Sequence, residues 1–400
     1  MNPSSLIERQ YLNYAYPEPG DDIPTWQKSY NYNVYDPGLY SPLYWPEGRP
    51  RSGLEVLVAG CGTMQAAVLA FNNPESKFIG IDFSQTSIAH EERLRERHNL
   101  TNLTLQKMDL RDVQELGRSF DLIISTGVLH HLPDPEVGLR VLSSVLEPTH
   151  GVLLLMLYAR FGRVGIYELQ DAFRRMRVPQ SAEGIAIVRS IIQRLPPRHP
   201  ARWYYENSVE MKSDAAIVDT FLHPQDTAFS VQQILDFVEV NGLKFQGWLD
   251  NGIYNQDWEG LDKNISDQDR WSIIEAFTRR MTTHSFIVTT RNRDIRSDIH
   301  FEGDRWLHYY PQRHPDLSPS AFEPNKCVRR NHEFMMSSSE SVLIAEATGT
   351  RTISEILKHR DLATIAIQQR KSLAQVFYKR MWRHGHMFFS VVPIRKQTIK

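Results

Sequence analysis

Short apolar runs alternate with longer amphipathic segments between residues 53 and 158. The runs have the length of strands, and the segments between them repeat their apolar side chains with the period of a helix. This alternation predicts parallel strands joined by right-handed helical crossovers, as in a Rossmann-like α/β fold. Strands are predicted at residues 55–59, 77–82, 103–107, 121–125 and 151–158, and helices at 64–71, 86–98 and 135–146.

The same pattern resumes at residue 230 after a long interval. A helix is predicted over residues 230–240 with Ser230 as its N-cap. Two further strands, separated by one more helix, complete a seven-stranded sheet with helices on both faces. The predicted core domain is therefore residues 51–292, and its last elements are strands at 244–249 and 283–290 with a helix at 266–281.

The interruption of this domain, at about residues 161–229, is too long for a simple loop. It contains helix-like stretches at 165–176 and 183–194 and leaves the sheet at its carboxyl edge, where ligands bind in such folds. We therefore expect a helical lid that selects a ligand and excludes water. His223 and Asp226, where the lid rejoins the core, are candidates for substrate contact or for turn formation and helix capping.

Residues 1–50 are crowded with tyrosine, tryptophan and proline. Prolines at this density interrupt any long helix, so this segment is expected to cover the core as short pieces and turns.

Residues 301–400 differ in charge from the rest of the chain. They hold 16 Lys and Arg against 9 Asp and Glu, whereas the whole chain has a net charge of −1. Three predicted helices at 338–347, 350–357 and 368–382, followed by a strand at 387–392, resemble a small winged-helix unit. The last helix is basic, which suits nucleic acid or an acidic protein partner, although a solvated face is the alternative. Its basic residues are Arg370, Lys371, Lys379, Arg380 and Arg383.

Composition limits the compartment and the class of protein. With 400 residues, 41% of them hydrophobic, the chain is long enough for two or three globular domains. Cys61 and Cys327 are its only cysteines, which favours a reducing compartment and argues against disulfides and cysteine-based metal sites. No apolar run approaches the ~18 residues of a spanning helix. The chain is thus expected to be cytoplasmic, without membrane association.

The first predicted strand ends in a glycine-rich turn. Gly60 and Gly62 allow a ligand to approach the backbone, and the helix that follows offers N–H groups at its start. Asp82 ends the second strand, 22 positions after Gly60, where an acidic residue accepts hydrogen bonds from ribose hydroxyls. The ligand expected here therefore contains an adenosine-type ribose.

Two classes of protein share this arrangement. A dinucleotide site requires a third glycine, whose place is occupied by Gln65, and this argues against a dehydrogenase. The turn instead resembles the first motif of class I S-adenosylmethionine-dependent methyltransferases. The resemblance extends over about 80 residues in four ordered segments, namely 54–65, 80–84, 106–110 and 120–132.

This resemblance implies S-adenosyl-L-methionine as cofactor, with Asp82 binding its ribose. Asp109 would contact the adenine between the apolar neighbours Met108 and Leu110, or would instead cap the short helix that follows. The cover segment would add Tyr30 or Tyr32 as a cofactor contact, and packing of these rings over the sheet edge is the alternative. The implied cofactor-binding residues are Ala59, Gly60, Cys61, Gly62, Asp82, Phe83, Met108, Asp109, Leu110 and Thr126.

His130 and His131 follow the fourth strand directly and are the candidate catalytic residues. A neutral imidazole there could take a proton from an oxygen or nitrogen nucleophile, and a structural role is the alternative. No metal site is predicted, because no second histidine or carboxylate stands nearby at ligand spacing.

The implied activity is methyl transfer to an O, N or C nucleophile of an unidentified acceptor under the lid. Val58 and Met64 depart from the family's glycine motif, where many members have an acid and a glycine. A non-catalytic protein that binds the cofactor, and recruits nucleic acid or protein through its basic C-terminal domain, is therefore the alternative.

Overall fold

The computed structural model describes residues 10–29, 35–48, 53–256, 258–261, 264–293, 298–319, 323, 325–329 and 332–393. The chain divides into two compact units, which we call unit 1 and unit 2. Unit 1 comprises Met1–Asp36, Ser52–Phe245 and Ser266–Arg291, and unit 2 comprises Pro37–Arg51, Gln246–Ile265 and Asn292–Lys400. Pro37–Arg51, in the predicted cover segment, thus groups with the C-terminal residues.

A seven-stranded sheet in the order β3-β2-β1-β4-β5-β7-β6 is the centre of the fold. Strands β1 to β5 pair in parallel, and β7 runs antiparallel to β5. The predicted α/β sheet is confirmed. Its strands are β1 (Glu55–Ala59), β2 (Lys77–Asp82), β3 (Leu103–Lys107), β4 (Leu122–Thr126), β5 (Val152–Tyr158), β6 (Leu243–Trp248) and β7 (Thr283–Thr290).

The helices between residues 65 and 278 follow the predicted positions closely, apart from two in the lid. Two more lie in the cover segment, for which short pieces without bounds were expected. Together, these helices are α1 (Ile23–Ser29), α2 (Pro37–Tyr44), α3 (Gln65–Asn72), α4 (Gln85–Arg97), α5 (Pro135–Ser144), α6 (Val164–Arg175), α7 (Ala182–Arg194), α8 (Pro200–Asn207), α9 (Asp214–Phe221), α10 (Val231–Val240) and α11 (Asp267–Thr278). Short 3-10 turns lie at Leu110–Leu116, Leu129–His131, Val209–Lys212, Asn251–Tyr254, Arg305–His308 and Arg360–Leu362.

The central strands are buried on both faces. Leu57 in β1 lies opposite Ile79 of β2 and Ile123 of β4, and all three side chains are buried. Because helices cover both faces of a parallel sheet, its strands are continuous apolar runs without alternation. This pattern explains why the strands were recognisable in the sequence.

The lid, residues 161–229, contains helices α6 to α9 and has an apolar cluster of its own, which includes Ile166, Phe173 and Ile217. Its two ends lie together at the end of β5. There the Phe229 N–H donates to the Tyr158 carbonyl at 2.9 Å and the Arg160 N–H donates to the Phe229 carbonyl at 2.9 Å. Helix α10 follows with Ser230 as its N-cap, as predicted.

Unit 2 contains the three predicted C-terminal helices, α12 (Ser338–Ala345), α13 (Ile353–Ile356) and α14 (Ile367–Arg383). The strand after them, β12 (Met387–Ser390), pairs antiparallel with β8 (Tyr310–Arg313), which precedes the helices. A separate small sheet of β9 (Ser318–Pro319), β10 (Lys326–Arg329) and β11 (His332–Met335) was not predicted. Among the described residues, no helix is both long and apolar enough to span a membrane.

Candidate functional site

The turn between β1 and α3 needs glycine at two positions. Gly60 has φ +76° and Gly62 has φ +59°, a left-handed backbone region that other residues rarely adopt. A Cβ on Gly60 would lie 2.2 Å from Cγ2 of Val128. The turn is fastened to β2 because the N–H groups of Gly60 and Cys61 both donate to the Ile81 carbonyl, at 2.8 and 3.0 Å. Backbone atoms are thereby exposed at the edge of the sheet.

Asp82 ends β2 beside this turn. Its Oδ2 accepts the Gly62 N–H at 2.9 Å, and its Oδ1 accepts the Ser84 N–H at 2.8 Å. Burial raises the pKa of the Asp82 carboxyl, and the two backbone hydrogen bonds oppose that rise. Each carboxylate oxygen keeps a further lone pair, so Asp82 can still accept hydrogen bonds from two hydroxyls.

A cavity of about 620 Å³ lies at this carboxyl edge of the sheet in unit 1. Its size falls within the ~300–1,000 Å³ of small-molecule sites. Ala59, Met108 and His130 are buried outside its lining, and Tyr30 and Tyr32 lie outside the described residues. The predicted residues that line it are Gly60, Cys61, Gly62, Asp82, Phe83, Asp109, Leu110, Thr126 and His131.

Gln65 was not predicted to bind the cofactor, but its amide group fits that role. Its Oε1 accepts the Thr126 hydroxyl at 3.1 Å, which orients the amide. Its Nε2 is buried at the cavity and has no hydrogen-bond partner in the described part of the chain. An unpaired buried donor beside the glycine turn suits the carboxylate of an amino-acid tail, because leaving it unpaired is costly. The residues present therefore fit S-adenosylmethionine.

The start of α3 does not offer all its N–H groups to a ligand, contrary to our expectation. Glu91, on α4, accepts the Ala66 N–H at 3.0 Å and the Ala67 N–H at 2.8 Å. The side chain is fully buried, and this burial raises the pKa of Glu91 to about 8. Glu91 thus holds α3 in place under the turn, and a cofactor must be bound mainly by the turn and by side chains.

Asp109 has the capping role, one of the two roles that the sequence left open. Its side chain accepts the Arg111 N–H at 2.9 Å and so caps the short 3-10 turn Leu110–Leu116. The Arg111 guanidinium also pairs with it at 2.6 Å, and hydrogen bonding from Arg111 lowers the pKa of the Asp109 carboxyl. Asp109 also lines the cavity, and its contact with an adenine stays a prediction.

The backbone of Gln225 sets the tautomers of two histidines, His131 at the cavity and His223 beside it. His131 Nδ1 lies 3.2 Å from the Gln225 carbonyl, so in neutral His131 this nitrogen carries the proton and Nε2 has a free lone pair. The Gln225 N–H donates to His223 Nδ1 at 3.1 Å, so neutral His223 carries its proton on Nε2. Burial holds the pKa of His223 well below its usual value. His131 Nε2 can therefore accept a hydrogen bond, and His223 Nε2 can donate one.

Asp219 lies close to both histidines, in an arrangement that sequence spacing did not indicate. Its oxygens accept the hydroxyls of Tyr11 and Tyr158, each at 2.9 Å. One ligand atom each from His131, Asp219 and His223 lie within 4.8 Å of one another. A metal would need the His223 Nε2 lone pair, but the Gln225 hydrogen bond assigns a proton to that atom. The cluster therefore has the chemistry of a hydrogen-bonding site.

His130 lies behind this group. Its ring stacks on Tyr158 with centroids 3.8 Å apart, and its side chain is fully buried. Burial holds the pKa of His130 well below its usual value, and neither ring nitrogen has a hydrogen-bond partner among the described residues. The structure therefore places His131 at the cavity and His130 in the packing behind Tyr158.

Comparison with known proteins gives a family match and relatives of different extent. Residues 50–184 match the family model of a methyltransferase domain. Over 397 residues the chain is 29% identical to an uncharacterized protein of Synechococcus sp., covering 92% of this chain and 91% of that protein. A tRNA (guanine-N(7)-)-methyltransferase of Rubrobacter xylanophilus is 36% identical over 105 residues, which are 26% of this chain and 44% of that enzyme.

The fold is also similar to a solved structure. PKMT2 from Rickettsia typhi aligns with a TM-score of 0.65 and 15% identity, covering 90% of this chain and 76% of that chain. A second structure of the same protein, in complex with AdoHcy, gives the same values. At this level of identity the likeness supports the fold, and the matched family domain contains the glycine turn, Asp82 and His131.

Proposed function

We propose that this chain, which carries a class I S-adenosylmethionine-dependent methyltransferase domain, methylates an oxygen or nitrogen of an acceptor bound under the lid. One observation carries the proposal. A single cavity contains Gly60, Asp82 and Gln65 at one side and His131, Asp219 and Arg163 at the other. The first group fits the cofactor, and the second group offers a base, a carboxylate and a cation to an acceptor.

When bound, S-adenosylmethionine supplies a methyl group on a positively charged sulfur. The protein's contribution is to align the acceptor and to exclude water. His131 Nε2, whose lone pair is set by the Gln225 carbonyl, would take the proton of the nucleophile. Asp219 is held by two tyrosine hydroxyls and would orient the acceptor through a hydrogen bond. The lid helices would close the cavity to solvent.

The proposal extends to the compartment. Cys61 and Cys327 are both free thiols and are buried. This supports the cytoplasmic location expected from the sequence.

The test is methyl transfer from radiolabelled S-adenosylmethionine into a small-molecule extract of the source cells. We expect a labelled acceptor with the wild-type protein and at least about a 100-fold lower rate with His131→Asn. The exposed His308, changed to Asn, serves as the control and should transfer at the wild-type rate. A labelled product formed equally fast by His131→Asn would remove the base from the mechanism.

Calorimetry with S-adenosylmethionine and S-adenosylhomocysteine tests the alternative in which the chain is not an enzyme. Binding of both compounds, together with transfer into the extract, is the expected result. Failure of both to bind would contradict the proposed function.

A further inference from the structure

Arg163, the first residue before the lid helix α6, is a buried cation among aromatic rings. Its side chain is only 1% exposed, and its Cζ lies 3.6 Å from the centroid of the Tyr158 ring. The rings of Tyr167 and Tyr204 are 5.8 and 5.9 Å from the same atom. These contacts fix the guanidinium at the lid side of the cavity, which Arg163 lines.

The charge of Arg163 has no ionic partner within the described residues. Its Nε and Nη2 are buried and form no hydrogen bond to any described residue that meets ordinary distance and angle limits. Cation–π contacts do not replace these hydrogen bonds, and a buried charge normally has a counter-ion. Two nitrogens of the Arg163 guanidinium group therefore lack the acceptor that their chemistry requires.

Two carboxylates lie in the same region, and both are already hydrogen bonded. Asp219 accepts from Tyr11 and Tyr158, and Asp226 accepts from Gln170 Nε2 at 3.1 Å. Neither forms an ion pair with Arg163 in the described part of the chain, although Asp226 interacts with it electrostatically at longer range. The guanidinium group is therefore not neutralised by direct contact with a carboxylate of the described residues.

The position of Arg163 separates it from the cofactor's amino-acid tail. It follows β5, whereas Gly60 and Gln65 follow β1, and β4 lies between these two strands. Neighbouring strands are ~4.8 Å apart, so the two positions differ by roughly 10 Å across the sheet.

We propose that Arg163 forms an anion subsite, and that the methyl acceptor carries a carboxylate or phosphate group that this subsite binds. The inference rests on the proposed function, because the acceptor is taken to occupy the same cavity. A guanidinium pairs with either group through two parallel N–H···O bonds, which fixes the orientation of the acceptor. The nucleophile would then be directed towards His131 and the cofactor.

The test is calorimetric titration of sodium acetate and of inorganic phosphate, at constant ionic strength, into the protein saturated with S-adenosylhomocysteine. We expect at least one anion to bind, and its dissociation constant to rise at least about tenfold in Arg163→Gln. Arg163→Lys keeps the charge but cannot form two parallel hydrogen bonds. Its dissociation constant should therefore lie between those of the wild type and of Arg163→Gln. The control is Arg175→Gln on the same helix, whose side chain is 80% exposed.

Each result decides the proposal. Absence of binding by both anions, or equal binding by Arg163→Gln, would overturn it. Anion binding that S-adenosylhomocysteine abolishes would place the anion in the cofactor's carboxylate position and would also overturn it. If S-adenosylhomocysteine fails to bind while Arg163-dependent anion binding persists, the proposed function fails and the anion site remains.

Discussion

We expect cofactor binding to depend more strongly on Asp82 than on any other predicted residue. It accepts backbone N–H groups from Gly62 and Ser84 and faces the cavity, so the fold presents its remaining lone pairs to a ribose. Hydrogen bonds to a charged acceptor are worth ~1.5–3 kcal/mol each. Asp82→Ala should therefore raise the dissociation constant for S-adenosylhomocysteine at least about tenfold, measured by calorimetry.

The exposed Asp112, changed to Asn, is the matched control for Asp82→Ala and should bind like the wild type. Thermal unfolding without ligand will show whether Asp82→Ala remains folded. A folded variant with unchanged affinity would contradict our placement of the ribose.

The buried Glu91 should make the stability of the protein depend on pH. Its pKa is raised from 4.5 to about 8 by burial, so the folded protein keeps a proton that the unfolded chain releases near pH 4.5. The free energy of unfolding therefore loses about 1.4 kcal/mol per pH unit through this group between about pH 5 and 8. Glu91→Gln does not titrate, so its stability relative to wild type should improve over that range in urea unfolding experiments. If the difference in free energy of unfolding between Glu91→Gln and the wild type did not change with pH, Glu91 would be ionised in the folded protein.

Sequence alone could locate site residues only where local pattern determined them. Gly60 and Asp82 stand at strand ends in a recognisable order, and the structure places both at the cavity. In the sequence, Gln65 only argued against a dinucleotide site. In the structure, the hydrogen bond from the Thr126 hydroxyl orients the Gln65 amide beside the turn. Asp219 and Arg163 come from the lid, and only tertiary contacts bring them to the cavity.

Ser230 tests whether helix α10 depends on its cap. Its side chain accepts the Gln233 N–H, and the Gln233 side chain accepts the Ser230 N–H at 2.9 Å, which forms a capping box. Ser230→Ala should lower the free energy of unfolding by about 0.5–2 kcal/mol in urea. Glu239→Ala, an exposed change on the same helix, should stay within about 0.5 kcal/mol of wild type. Equal effects of the two changes would exclude the cap as the cause.

Helices with one buried face, and strands buried on both faces, could be predicted from the sequence. Strands β1 and β5 are continuous apolar runs, and α10 has one apolar face, so each gave a clear pattern. Helix α9 was missed because residues 216–221 are all buried, which removes the polar face that gives a helix its period. Helix α8 begins at Pro200 after a proline-rich stretch, which the sequence alone presented as a break.

In unit 2, the number of basic residues overstates the positive charge that is available to a partner. The excess of basic residues suggested that α14 contacts phosphates, but contacts within the unit engage part of that charge. Arg370 donates to the carbonyls of Ile365, Leu357 and Ala363, and Arg380 pairs with Glu340 at 2.7 Å. The sequence shows how many basic side chains a helix carries. Only the structure shows which of them already form hydrogen bonds or ion pairs.

We therefore propose that polyanion binding by α14, where it occurs, depends on Lys371 and Lys379, which form no ion pair with a described residue. Two phosphate contacts give a slope of log affinity against log salt of about −1.8. Fluorescence anisotropy with a labelled 20-base-pair duplex between 50 and 200 mM salt should show a slope no steeper than about −2. Lys371→Glu with Lys379→Glu should abolish the binding, whereas Lys212→Glu with Lys358→Glu, an equal change in net charge at exposed positions, should leave it largely intact. A slope of about −4 or steeper, or equal losses in the two double variants, would mean that cations elsewhere in the chain bind the duplex.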